Sequence, residues 1–184
     1  MKKIIVLLSI TAILLSCKEE AKASIADIKE QSEGEIKDIV STEEVAPEII
    51  EEVPEKTIKQ IKEELKTKGF KTFDYVDEKT KDTFLMQQYF LVFLKKGPIR
   101  GQNEEEAAEL QKLHMEHLAK MYELGYADIS GPCGDDGDLR GITIYNVPNL
   151  KMADSLANAD PMVIAGRLQT EVHPWWAAKG FMLR

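Results

Sequence analysis

The stretch QQYFLVFLKKGPIRGQNEEEAAELQKLHMEHLAKMYELGYADISGP (87–132) decides how the rest of the chain is read. Tyr89-Phe90-Leu91-Val92-Phe93-Leu94 is an uninterrupted apolar run suited to a central strand, and Lys95-Lys96-Gly97-Pro98 ends it. Asn103 is a good helix N-cap, and Glu104, Glu105 and Glu106 favour the positive end of the helix that follows. Leu110, Leu113, His114, His117, Leu118, Met121 and Leu124 recur on one face of that helix until Gly125 closes it. Ala127 to Ser130 then reads as a short strand into Gly131-Pro132, and Gly134-Asp135-Asp136-Gly137-Asp138 as a turn. Gly141 to Tyr145 is the next strand, Lys151 to Asn158 a shorter helix, and Asp160-Pro161 opens a further helical turn to Ala165. Leu168 to Val172 is the last strand, so the order from Gln87 to Gly180 is β-α-β-β-α-β.

That order predicts an α+β, ferredoxin-like domain over 87–184, with two helices on one face of a four-stranded antiparallel sheet. Alternate residues of the run Tyr89 to Leu94 then lie on the helix-free face, and an apolar sheet face of that size implies a partner. Residues 57–86 read as a helix and hairpin that precede the domain as an N-terminal extension. Ile58, Ile61 and Leu65 share a helical face, Gly69 follows as a C-cap, and Phe73 and Tyr75 alternate with polar neighbours. Asp77-Glu78-Lys79-Thr80 is the turn, and the added strand would cover a sheet edge.

The N-terminus speaks to address. Lys2 and Lys3 precede an apolar run, Ile4 to Leu15, which is too short to span a bilayer comfortably and fits a signal peptide over 1–16. Leu14-Leu15-Ser16-Cys17 resembles the bacterial lipobox, which implies lipidation of Cys17 and a membrane-anchored lipoprotein on the periplasmic side or the cell surface. Lys18 stands where an inner-membrane retention aspartate would be, so the outer membrane is the expected address, and Lys18-Glu19-Glu20 resembles the export tag of surface lipoproteins in Bacteroidetes. With Cys17 carrying lipid, Cys133 has no partner for an intramolecular disulfide, and its place in a turn reads as structural. Residues 17–56 read as an acidic, mostly disordered tether without aromatics, with at most transient helix around Ile25 to Val40.

The charge belongs to that tether. Residues 18 to 56 hold thirteen acids against five lysines, a net −8 that equals the total for the chain. The signal peptide adds +2, which leaves residues 57 to 184 at only −2 and without a basic stripe for phosphates, so no nucleic-acid partner is expected.

His114 and His117 stand three apart, and His173 is the third histidine. No HExxH and no paired cysteines accompany them, so no metal is expected. The Asp-Gly turn at 134–138 lacks the frame of a calcium loop. Arg140 and Arg167 are the candidates for holding an anionic substrate, and Trp175, in His173-Pro174-Trp175-Trp176, for covering a ligand or partner. Asp160 before Pro161 is also a very good N-cap, and His114 on an apolar helix face is also a plausible core histidine.

LQKLHMEHLAKMYELGYADISGP (110–132), RGITIYNV (140–147) and LANADPMVIAGRLQTEVHPWW (156–176) resemble the YCII-related domain family over about half the chain. The resemblance implies a dimeric α/β barrel that packs two sheets together. It also implies that His114, rather than His117, and Asp160 meet as a His-Asp dyad beside a pocket, leaving His117 for a surface or interface. Such a dyad would shuttle a proton in a cofactor-independent lyase, isomerase or dehalogenase-type step on a small molecule. The alternative is a non-catalytic small-ligand-binding or scaffold lipoprotein in which the pair is structural.

Overall fold

The computed structural model describes residues 24–39, 56–181 and 183. The signal peptide, Cys17 and the rest of the tether lie outside the described residues. Among the described residues no helix is long and apolar enough to cross a membrane.

The run quoted above forms the spine of the sheet, strand β2 (Thr83–Lys96). Ahead of it come helix α1 (Ile25–Ile39), helix α2 (Ile58–Thr67) and strand β1 (Thr72–Val76). After it come helix α3 (Glu104–Glu123), β3 (Ala127–Pro132), β4 (Leu139–Tyr145), α4 (Leu150–Asn158), α5 (Pro161–Ile164) and β5 (Leu168–Ala178). All five strands are antiparallel. β5 lies along one side of β2, from Met86↔Ala178 to Lys96↔Leu168. On the other side β1 pairs the first half of β2 and β4 the second half, with β3 outside β4. The order β5-β2-β4-β3 is that of a ferredoxin-like sheet, and β1 is the added edge strand expected of residues 57–86. β5 runs six residues beyond the expected Val172, because β2 offers it unpaired backbone along that whole length.

Alternation along β2 divides the sheet into two faces. Phe90, Val92 and Leu94 point to the helix layer and join Leu110, Met121, Tyr145, Leu156 and Leu168 in the buried core. Leu91 and Phe93 point the other way, opposite Ile144 and Ile142 of β4, and all four are only half-buried. Gln87 shares that outer face and bonds Asn146 at 2.6 Å. Lys62 of α2 bonds Asp74, whose β1 position is opposite Leu85, so α2 lies on the outer face over the first half of β2. Leu85, Leu65 and Gln87 are buried there, and the lead-in therefore covers half of the face and leaves the Leu91–Phe93 half open.

The helix layer holds an element that the sequence suggests only as a passing helix. α1 packs on α3, α4 and α5 and buries Ile28 and Ser32. This segment of the expected tether is therefore not a free coil. Its isolated apolar residues are too few to fold alone, and Ile28 instead completes the core of the domain.

Candidate functional site

His114 sits nearly three turns into α3, on the side that faces the sheet, and is only 8% exposed. Asp160 stands at the junction of α4 and α5 and is 2% exposed. The His114 Nδ1–H donates to Oδ2 of Asp160 at 2.5 Å. Oδ1 accepts the Met162 backbone N–H at 2.8 Å, as the N-cap of α5. Asp160 is thus both hydrogen-bonded to His114 and the N-cap of α5, with one carboxylate oxygen for each. A carboxylate this deeply buried needs both donors, since an unpaired buried charge is costly. Because Nδ1 is committed to Asp160, the remaining lone pair, on Nε2, belongs to the cavity that the ring lines.

That cavity, about 400 Å³ in volume, lies between α3 and the end of the sheet where β2 finishes and β4 and β5 begin. Leu94, Met115, Leu118, Met162 and Leu168 supply apolar wall. Arg100, Arg140 and Arg167 all line it, and among the described residues no carboxylate does. The guanidinium of Arg100 donates to the Arg167 carbonyl at 3.0 Å, and that of Arg167 to Oε1 of Gln102 at 3.1 Å. Arg140 donates to the carbonyls of Asp135 and Gly137, with the Asp136 carboxylate, itself fully exposed, at 3.8 Å. Burial and then the neighbouring charge of Arg100 lower the pKa of Arg167. Burial and the charge of Asp160 push the Tyr145 phenol far above its usual range, so it remains a protonated core group and no rival base.

The close approach of three segments sets this rim. Gly97 N–H donates to the Arg167 carbonyl and Ile99 N–H to the Gly166 carbonyl, both at 2.9 Å. A Cβ on Gly97 would fall 2.2 Å from the Gly166 oxygen, so only glycine lets β2 end against the loop that carries Arg167. Arg100, unremarked in the sequence, reaches the site through this loop contact. The one local signal for it is the Gly97-Pro98 break, which turns the chain back over the sheet end.

Other expected positions fall elsewhere. Trp175 does not line the cavity. It stands opposite Tyr89 on the outer face, with ring centroids 6.2 Å apart, because β5 continues past Val172 and carries it away from the cavity end of the sheet. Trp176 points to the other side and meets Phe73 edge-on at 4.9 Å. His117, expected at a surface or interface, is 4% exposed. α1 lies over it, and Lys29, Ser32 and Glu33 line a small hollow of about 100 Å³ beside it with Glu116, Lys120 and Pro161. Both His117 ring nitrogens lack a partner in hydrogen-bond geometry, and burial lowers its pKa even though the charge of Asp160 and the nearby Leu156 backbone pull upward. His173 is exposed and bonds Glu171 at 2.7 Å. Among the described residues no three His, Cys, Asp or Glu side chains gather as metal ligands.

The chain matches no family model and no curated protein. Among solved structures it is similar to 5-chloro-2-hydroxyhydroquinone dehydrochlorinase (TftG) from Burkholderia phenoliruptrix AC1100, in complex with 2,5-dihydroxybenzoquinone. Identity is 22% and the TM-score 0.36, over 47% of this chain and 92% of that one.

Proposed function

We propose that the protein is a cofactor-independent acid–base enzyme of the lyase or isomerase type, YCII-like in kind, with His114 as the proton carrier and Asp160 as its orienting partner. The observation that carries this is the buried Nδ1–Oδ2 bond at 2.5 Å beneath a cavity that the same ring lines. In the first step His114 Nε2 takes a proton from a carbon beside a carbonyl of the substrate. The C–H electron pair moves into the carbonyl and leaves an enolate, while the imidazolium is held by Asp160. In a lyase that pair then re-forms the carbonyl and closes a C=C bond, while the leaving group departs from the next carbon with its own bonding pair. An isomerase returns the proton from Nε2 to a different atom. Such a proton carrier is worth about 10²–10⁴-fold in rate.

The tautomer of His114 tests this, read from the ¹⁵N shifts of its imidazole. The enzyme reading expects Nδ1 protonated and Nε2 free in the wild type. In Asp160→Asn the amide keeps the cap on Met162 N–H, since Asn caps as well as Asp, but no longer offers a carboxylate to Nδ1–H. The tautomer should then invert to Nε2–H with little change in melting temperature. A wild-type ring protonated at Nε2, or a variant whose only change is lost stability, would overturn the enzyme and favour the non-catalytic binding reading.

A further inference from the structure

We propose that the ligand of this cavity is a small organic carboxylate, seated by Arg100 and Arg167 with Arg140 as a second cation. The inference deepens the enzyme reading above by naming its substrate class, and it rests on the charge balance of the walls. Three guanidinia line one cavity of about 400 Å³, and among the described residues its lining contains no carboxylate. A typical small-molecule site has a volume of ~300–1,000 Å³. Among the described residues Arg100 and Arg167 meet only neutral acceptors, a backbone carbonyl and the Gln102 amide oxygen. Arg140 is only loosely compensated by a fully exposed Asp136. Two cations brought together without a counter-ion repel each other, which the neighbouring charge adds to the burial felt by Arg167. An anion between them removes that cost.

The shape of the site favours a carboxylate over a phosphate. Planar guanidinium forks match carboxylate and phosphate oxygens alike, so the rest of the site decides between them. The helix ends that could cradle a phosphate are already occupied. Asp160 caps α5, and α3 begins with Asn103 bonded to Glu106 and with Glu104 and Glu105 beside it, which repel a dianion. The apolar wall of Leu94, Met115, Leu118 and Met162 suits a flat hydrocarbon body behind the charged group. With the carboxylate so held, a carbon next to it or to a conjugated carbonyl is presented to His114 Nε2. The enolate charge that follows proton removal develops among the same three arginines.

Benzoate, its neutral isostere benzamide and inorganic phosphate, titrated separately into the full chain and followed by NMR, test this. Benzoate should shift the His114 ring and the Arg167 Nε–H saturably and bind at least about tenfold more tightly than benzamide, since one charge-assisted bond is worth roughly 1.5–3 kcal/mol. Arg100→Gln, at an exposed position that should not disturb folding, should remove most of that preference, and Arg167→Lys should keep part of it. No saturable benzoate shift, equal binding of benzoate and benzamide, or tighter binding of phosphate would each overturn the carboxylate. The His114 tautomer read in the same samples separates the failures. A free Nε2 without anion preference sinks the substrate class alone, whereas a protonated Nε2 with intact anion preference sinks the proton carrier alone.

Discussion

Asp160 and His117 show two fates of a polar side chain inside this domain. Asp160 divides its oxygens between His114 and the α5 cap, and each donor lowers the penalty of burying the charge. His117, one turn of α3 beyond His114, has no such partner and stays neutral beneath α1. The sign of its effect on stability follows. In the unfolded chain it accepts a proton as pH falls below ~6.5, while the folded form resists until lower pH. The unfolded state binds more protons in that window, so His117 leaves stability whole above about pH 6.5 and erodes it below, by ~1.4 kcal/mol for each unit of depression. His117→Leu should therefore flatten the urea midpoint between roughly pH 7 and pH 5, and at neutral pH match or exceed wild type, because two unsatisfied nitrogens are gone. An acid slope unchanged by the substitution would count against a neutral, buried His117. His114 and Asp160 were legible as a pair only through family resemblance. Their residue types alone fit a core histidine and a cap equally well.

At the scale of elements, the end of β2 decides whether there is a site. Strand type, helix limits and the capping boxes of α2 and α3 all follow local rules that the sequence displays. The loop after Pro98 does not, since its course depends on the backbone of residues 166 and 167, far along the chain. Gly97→Ala would push a methyl carbon to within 2.2 Å of the Gly166 oxygen. Backbone cannot yield there as a flexible side chain could, so the expected loss is about 1–3 kcal/mol or more. The urea midpoint should fall accordingly, and with it the Arg100–Arg167 contact and benzoate binding. A variant as stable as wild type would show that the approach of β2 to this loop is not tight. α1 belongs to this scale as well. Its sequence lacks the apolar content of a stable helix, and packing on α3, α4 and α5 supplies what propensity does not.

The whole molecule leaves one surface to account for. α2 and β1 cover the outer sheet face over the start of β2, while Leu91, Phe93, Ile142 and Ile144 remain half-exposed and Ile129 and Trp175 are more so. A contiguous apolar face on a sheet is the kind of surface that pairs with a copy of itself. We propose that two chains meet there, around Phe93. Sedimentation should give twice the mass of one chain, and Phe93→Glu, at a position outside the helix-side core, should reduce it to one while leaving the fold intact. A wild type that sediments as a single chain at micromolar concentration would remove the dimer and leave α2 as the sole cover.

What the sequence determined by itself is the order of elements and their faces. Strand alternation, helical spacing, caps and the Gly-Pro and Asp-Pro breaks are short-range, so β-α-β-β-α-β and the ferredoxin-like sheet follow from residues a few positions apart. What only the tertiary structure decided is which distant residues meet. Arg100 joins Arg167 through the Gly97 approach, Trp175 is carried off the site by the extra length of β5, and His117 is covered by a helix from the expected tether. Each depends on backbone pairing or packing between segments tens of residues apart, and no local pattern encodes that distance.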